Sequence, residues 1–297
     1  MPTDRQLAGA PISWGVCEVP GWGTMLPPER VFDEMAGLGL TATELGPVDD
    51  YLPLDATAIR ATLAPRRLEL LGGFVPLVLH QGDLAEALDQ ARRVAGVMAD
   101  AGASVFVLAL VEDAEWSAPI TLDGPGWARL AAGVDAVAEA TAELGLTTVV
   151  HPHQGTLVER AAEVDVLAAL SNVAWCLDPG HLALGGYDPL DFVRNYGDRI
   201  AHVHLKDIDL TVAERLNAGE LTLMGAVQAG LFKPLGQGDA SIAELVAALD
   251  ARGYDGWMVL EQDCAITGAP PAPGEGPVND VAESLRFLAS LAPAGVQ

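Results

Sequence analysis

Three stretches in the second half of the chain share one plan: TTVVHPH (147–153), AWCLDPGH (174–181) and IAHVHLKD (200–207). Each is a short apolar run that ends in histidine or acid. A strand covered on both faces reads as such a run. Between them lie Ala161–Leu170 and Pro189–Tyr196, which have helical length and spacing. Strand, helix, strand, helix in succession implies a parallel sheet.

Working outward, the same unit recurs along the chain. Strands are expected at Pro11–Val16, Ala42–Gly46, Leu70–Leu79 and Ser104–Leu110, then at Thr147–His151, Ala174–Asp178, Ile200–Leu205 and Trp257–Glu261. Helices are expected at Pro28–Gly39, from Asp55 towards Leu68, at Leu84–Ala101 and at Trp127–Leu144. Further helices follow at Ala161–Leu170, Pro189–Tyr196, from Ser241 to Arg252, and at Val281–Leu291. Gly102 and Gly145 stand where a left-handed residue stops a helix. Eight β-α units with no linker predict an α/β fold, a single (β/α)8 TIM barrel over residues 1–297. One insert, 209–239, reads as irregular, and a loop at 264–278, with its Pro/Gly stretch Ala269–Pro277, lies near the barrel mouth. No G-x-G-x-x-G follows the first strand, which disfavours a dinucleotide fold.

The chain carries 41 acidic against 16 basic residues, a formal charge of −25 over 297 residues. That balance opposes binding to nucleic acid or to an anionic membrane, and suits a small neutral substrate. Three cysteines, Cys17, Cys176 and Cys264, form no C-x-x-C pair and predict a reduced, cytoplasmic protein. No secretion signal or bilayer-length apolar run is visible. A homo-oligomer is an open expectation.

In such a barrel the active site lies at the C-terminal ends of the strands. Those ends carry Glu44, His80, His151, His153, Asp178, His181, His202, His204, Lys206, Asp207, Glu261 and Asp263. Five of the six histidines fall between 151 and 204. Asp178 and Glu261 each follow a run of apolar residues, where an unpaired carboxylate is costly. Two such carboxylates beside a histidine strand end point to a shared cation. A mixed imidazole and carboxylate set suits Mn²⁺, Co²⁺, Fe²⁺ or Zn²⁺ more than Mg²⁺ or Ca²⁺. Trp14, Glu44, His80 and Asp207 are candidates for substrate contact.

Several stretches then carry a resemblance: APISWGVCEVPGWG (10–23), TELGP (43–47), HPHQGTLVE (151–159), CLDPGHLALGG (176–186), HVHLKD (202–207), PLGQGD (234–239) and GYDGWMVLEQD (253–263). Their order resembles the xylose-isomerase-like barrels, and within them the inosose dehydratase branch. The resemblance implies a hydro-lyase of inositol catabolism that removes water from 2-keto-myo-inositol or a close polyhydroxylated cyclic ketone. A keto-sugar isomerase or epimerase is the nearest alternative. It also implies a divalent metal, Mn²⁺ or Co²⁺ foremost, with Zn²⁺ or Fe²⁺ as substitutes. Asp178, His204 and Glu261 match three of the superfamily's four ligands. At strand five the sequence offers His151 where others have glutamate, with Glu159 or His153 as replacements. By the same resemblance, Glu261 or a nearby carboxylate takes the α-proton, and His153, His181 or Lys206 assists the departing hydroxyl.

Overall fold

A computed structural model describes residues 5–291. Eight parallel strands close a barrel. They are β1 (Gln6–Gly9), β2 (Ala42–Glu44), β3 (Glu69–Leu77), β4 (Val105–Leu110), β5 (Thr147–Val150), β6 (Ala174–Leu177), β7 (Ile200–Leu205) and β8 (Trp257–Leu260). Each pairs with its sequence neighbours, and β8 closes on β1 with Gln6 opposite Trp257 and Gly9 opposite Leu260.

Alternation along each strand divides the core in two. Outward residues pack under the helices. Val31, Phe32 and Met35 of the helix Pro28–Gly37 are fully buried there, and truncating Phe32 to Ala would cost about 3–5 kcal/mol. Inward residues are smaller. Ala8, Ala10, Ala42, Leu71 and Val259 form one interior cluster; Val105, Val107, Val149 and Cys176 form another. Two residues further along the same inward face come the polar groups: Ala42 leads to Glu44, Val149 to His151, Cys176 to Asp178, and Val259 to Glu261. On β7, Val203 and Leu205 join the outer core, so His202 and His204 face inward, and Lys206 continues their row.

Four local expectations change. The first strand is Gln6–Gly9, and Pro11–Trp14 is a 3-10 turn that Gly15 ends at φ 78°. Pro11 has no N–H to give to a ladder, which suits the first position of a helical turn. Asp178 accepts from the His181 N–H and so caps an extra helix, Pro179–Leu184. The 209–239 insert holds two short helices, Leu210–Asn217 capped by Asp209 and Leu223–Gln228 capped by Thr222. Ser241 precedes the helix Ile242–Ala251 at φ 52° and makes no side-chain cap bond. Asp55 caps its helix as expected, by accepting from Ala58 N–H. Among the described residues, no helix is long and apolar enough to cross a membrane.

Candidate active site

At the C-terminal ends of the strands lies a cleft of about 710 Å³. Glu44, His153, Glu261 and Asp263 reach it from the polar side; Trp22, Phe74, Trp116 and Met224 supply apolar wall. Trp116 stacks on Phe74 with ring centroids 6.0 Å apart and meets the edge of His153 at 5.8 Å.

Beneath the cleft the strand-end groups form one network. His151 Nε2 lies 3.2 Å from Asp178 Oδ2. Lys206 Nζ donates to Glu261 Oε1 at 2.9 Å, and lies 2.7 Å from Asp263 Oδ1, 3.4 Å from Asp178 Oδ2 and 3.0 Å from His181 Nε2. Glu44 Oε1 faces the Nε2 atoms of His202 and His204 at 2.7 and 2.9 Å. His204 Nδ1 lies 3.1 Å from Glu261 Oε2. Three carboxylates thus surround one buried ammonium, and a fourth is shared by two imidazoles.

This packing sets the charges. Burial alone would lower Lys206, but Asp178, Asp263 and Glu261 outweigh it and hold the ammonium well above its usual range. Burial would raise Glu261; the charges of His204 and Lys206 bring it well below the ordinary carboxylate value. Glu44 is likewise held at about 2 by His204 and His202 against burial. His153 falls to about 3 through burial and the charges of His151 and Lys206. His181 is lowered for the same kind of reason, burial first and then His153 and Lys206. Asp263 goes the other way: burial raises it beyond what Lys206 can offset.

The structure brings together His151, His153, Asp178, His181, His204, Lys206 and Glu261, with Glu44 beside them. Three expected substrate contacts lie elsewhere. Trp14 is fully buried under the barrel wall, and its Nε1 donates to Glu34 at 2.9 Å. His80 is buried against Glu112, 3.4 Å away, outside the cleft lining. Asp207 accepts N–H bonds from Gly236, Gly238, Ala240 and Ile208, which ties the PLGQGD loop to β7. A Cβ on Gly238 would stand 2.4 Å from Asp207 Oδ1, so the loop needs glycine there. Glu159, an alternative ligand, instead accepts from Gly155 N–H. One contributor was missed. Trp116 sits in an irregular loop at φ 56°, with no periodicity to mark it. Asp263 was read at the end of the last strand without a role, and it stands two residues beyond Glu261 on the same alternation.

The donor set fits a divalent cation. One ligand atom each from Asp178, His204 and Glu261 lies within 4.8 Å of the others, and the same holds for His151, Asp178 and His181. Nδ1 of both His151 and His204 is buried without a hydrogen-bond partner. Buried polar atoms rarely go unsatisfied, and a missing ion is one explanation. Two imidazoles with two carboxylates, and no thiolate required, is a mixed N/O set suited to a catalytic divalent ion.

The chain is similar to several proteins of known name. The chain is 34% identical over 272 residues to the inosose dehydratase of Geobacillus kaustophilus, covering 86% of this chain and 87% of that one. It is 31% identical over 277 residues to inosose dehydratase 1 of Bacillus cereus, covering 88% and 91%. A D-allulose 3-epimerase from Methylomonas sp. shares the fold at TM-score 0.70 and 15% identity, over 98% of this chain and 99% of that one. The profile of the xylose isomerase-like TIM barrel matches residues 32–291. On a closed parallel barrel with this strand-end network, those matches show that the chain belongs to the xylose isomerase-like TIM-barrel family and, within it, to the inosose dehydratases.

Proposed function

We propose that this enzyme removes water from 2-keto-myo-inositol, or from a close polyhydroxylated cyclic ketone, with Mn²⁺ or Co²⁺ held by Asp178, His204, Glu261 and His151. The observation that carries the reading is the convergence of Asp178, His204 and Glu261 within 4.8 Å below a cleft with a polar floor and apolar walls. When bound there, the ion supplies Lewis acidity that polarises the ketone oxygen and acidifies the neighbouring C–H.

The protein's own groups then divide the work. Both oxygens of Glu261 are engaged, one by Lys206 and one beside His204, which suits a ligand better than a base. Asp263 lines the cleft, and its carboxyl is raised towards neutrality, the direction in which a general base gains strength. Asp263 takes the α-proton; the C–O bond on the adjacent carbon breaks, and the same proton leaves with the hydroxyl as water. Lys206 holds the Asp263 carboxylate in place and balances its charge. His153 is neutral, so it serves as a hydrogen-bonding partner to the substrate and not as the acid. The apolar walls exclude water from the reacting carbons, which protects the intermediate from stray protonation.

Product mass tests the reading against its nearest rival. Incubation with 2-keto-myo-inositol should yield a species lighter by one water. A product of unchanged mass would replace dehydration with isomerisation or epimerisation on the same scaffold.

A further inference from the structure

Glu44 sits on β2, across the barrel from the histidines of β7. Its Oε1 is within 2.7 Å of His202 Nε2 and 2.9 Å of His204 Nε2. All three side chains are at most 5% exposed. A carboxylate oxygen can only accept, so in this contact each histidine donates its Nε2–H. A ring whose proton is on Nε2 carries its lone pair on Nδ1. For His204, that Nδ1 is the atom left buried without a hydrogen bond, 3.1 Å from Glu261 Oε2.

We propose that Glu44 is a positioning residue that keeps the proton of His204 on Nε2, so that Nδ1 is the atom that gives up its proton and is offered to the metal. The inference rests on the metal reading above and deepens it. His202 has its own part: by sharing Oε1, it pins the Glu44 carboxylate on the β7 side. Glu44, His202 and His204 also converge closely enough to suggest an ion between them. That alternative needs both Nε2 atoms deprotonated and the His204 proton on Nδ1, facing Glu261 Oε2 at 3.1 Å. The Nε2–H tautomer gives both Nε2–H groups their acceptor and leaves His204 Nδ1 to a cation shared with Glu261, and the position of the proton on His204 separates the two arrangements. Partners of this kind, a carboxylate behind a ligating histidine, tune metal affinity by about 10–100-fold when removed.

The test is a metal titration of the chelator-stripped, full-length protein, followed by calorimetry, with wild type, Glu44→Gln and Glu44→Ala. Ala should weaken Mn²⁺ binding by about 10–100-fold. Gln keeps an acceptor oxygen and should recover part of that loss. Circular dichroism before titration separates a folding defect from a binding one. The ¹⁵N spectrum of the wild-type Zn²⁺ form reads the tautomer directly: His204 should show a protonated Nε2 and a metal-shifted Nδ1. The reverse pattern would overturn the proposal even if neither variant folds. So would folded Glu44→Ala binding Mn²⁺ as tightly as wild type. If wild type itself binds no divalent metal, the metal reading falls first and this role falls with it.

Discussion

Replacing Lys206 with Met should be among the most disruptive single changes in the molecule. The side chain is fully buried, and its ammonium faces Asp263 at 2.7 Å, Glu261 at 2.9 Å and Asp178 at 3.4 Å. Met fills much the same volume, so no large cavity forms, and what disappears is the charge. Removing one member of a buried ion pair costs about 3–5 kcal/mol, because the partner is left uncompensated. Here three partners share the loss, so the upper end of that range is expected. For a domain of this size, roughly 2–4 °C of melting temperature accompany each kcal/mol, giving a drop of about 6–20 °C. Divalent metal should restore part of it, since a cation at Asp178 and Glu261 returns positive charge to the same place. The double variant Lys206→Met/Asp263→Asn should be more stable than Lys206→Met alone, because one uncompensated carboxylate has gone. Thermal melts of the metal-free and metal-loaded forms measure both effects. A Lys206→Met variant within about 0.5 kcal/mol of wild type, the range of an ordinary surface change, would refute the reasoning.

Other residues give sharper local tests. Asp207→Ala removes the acceptor of four backbone N–H groups and should cost about 2–4 kcal/mol, at about 1 kcal/mol per lost bond; a large rise in KM with stability intact would restore Asp207 as a substrate ligand. Trp14→Phe loses the bond to Glu34 and part of a fully buried ring, so stability should fall by about 2–3 kcal/mol while KM stays unchanged; a rise in KM would put Trp14 back in the substrate site. Cys17 borders the cleft, but burial raises its thiol to about 12, helped by Glu18 and Asp263. Its thiolate is scarce at pH 8, so alkylation of the native protein should be slow and should accelerate only above pH 10; rapid reaction at pH 8 would show the thiol to be exposed.

How much of this the sequence disclosed depends on where each residue's partners come from. His151, Asp178, His204 and Glu261 were legible because each directly continues an apolar strand, and period-two alternation carries the inward face past the strand end. The barrel itself was legible for the same reason, seven times over. Gln6–Gly9 was not: its inward Ala8, and Ala10 just beyond the strand, are small, and the more apolar Pro11–Val16 read as the better strand. Trp14, His80 and Asp207 were misplaced because Glu34, Glu112 and the 236–240 loop, which engage them, are far away in sequence and invisible to a motif. Glu44 was found, but its attachment to His202 and His204 spans 158 and 160 residues and is a product of barrel closure alone. The two insert helices of 209–239 were announced only by their caps, Asp209 and Thr222, in a stretch whose Gly-rich composition argued against helix.

The central claim is that the Asp178–His204–Glu261 cluster, loaded with a divalent cation, dehydrates a cyclic polyhydroxy ketone. It is tested most directly by a spectrophotometric assay on 2-keto-myo-inositol with chelator-stripped protein, to which Mn²⁺, Co²⁺, Zn²⁺ or nothing is returned. The account predicts an ultraviolet-absorbing dione that forms only when metal is restored, fastest with Mn²⁺ or Co²⁺. Dione formation at full rate without metal, or silence with every metal from folded and loaded protein, would contradict it.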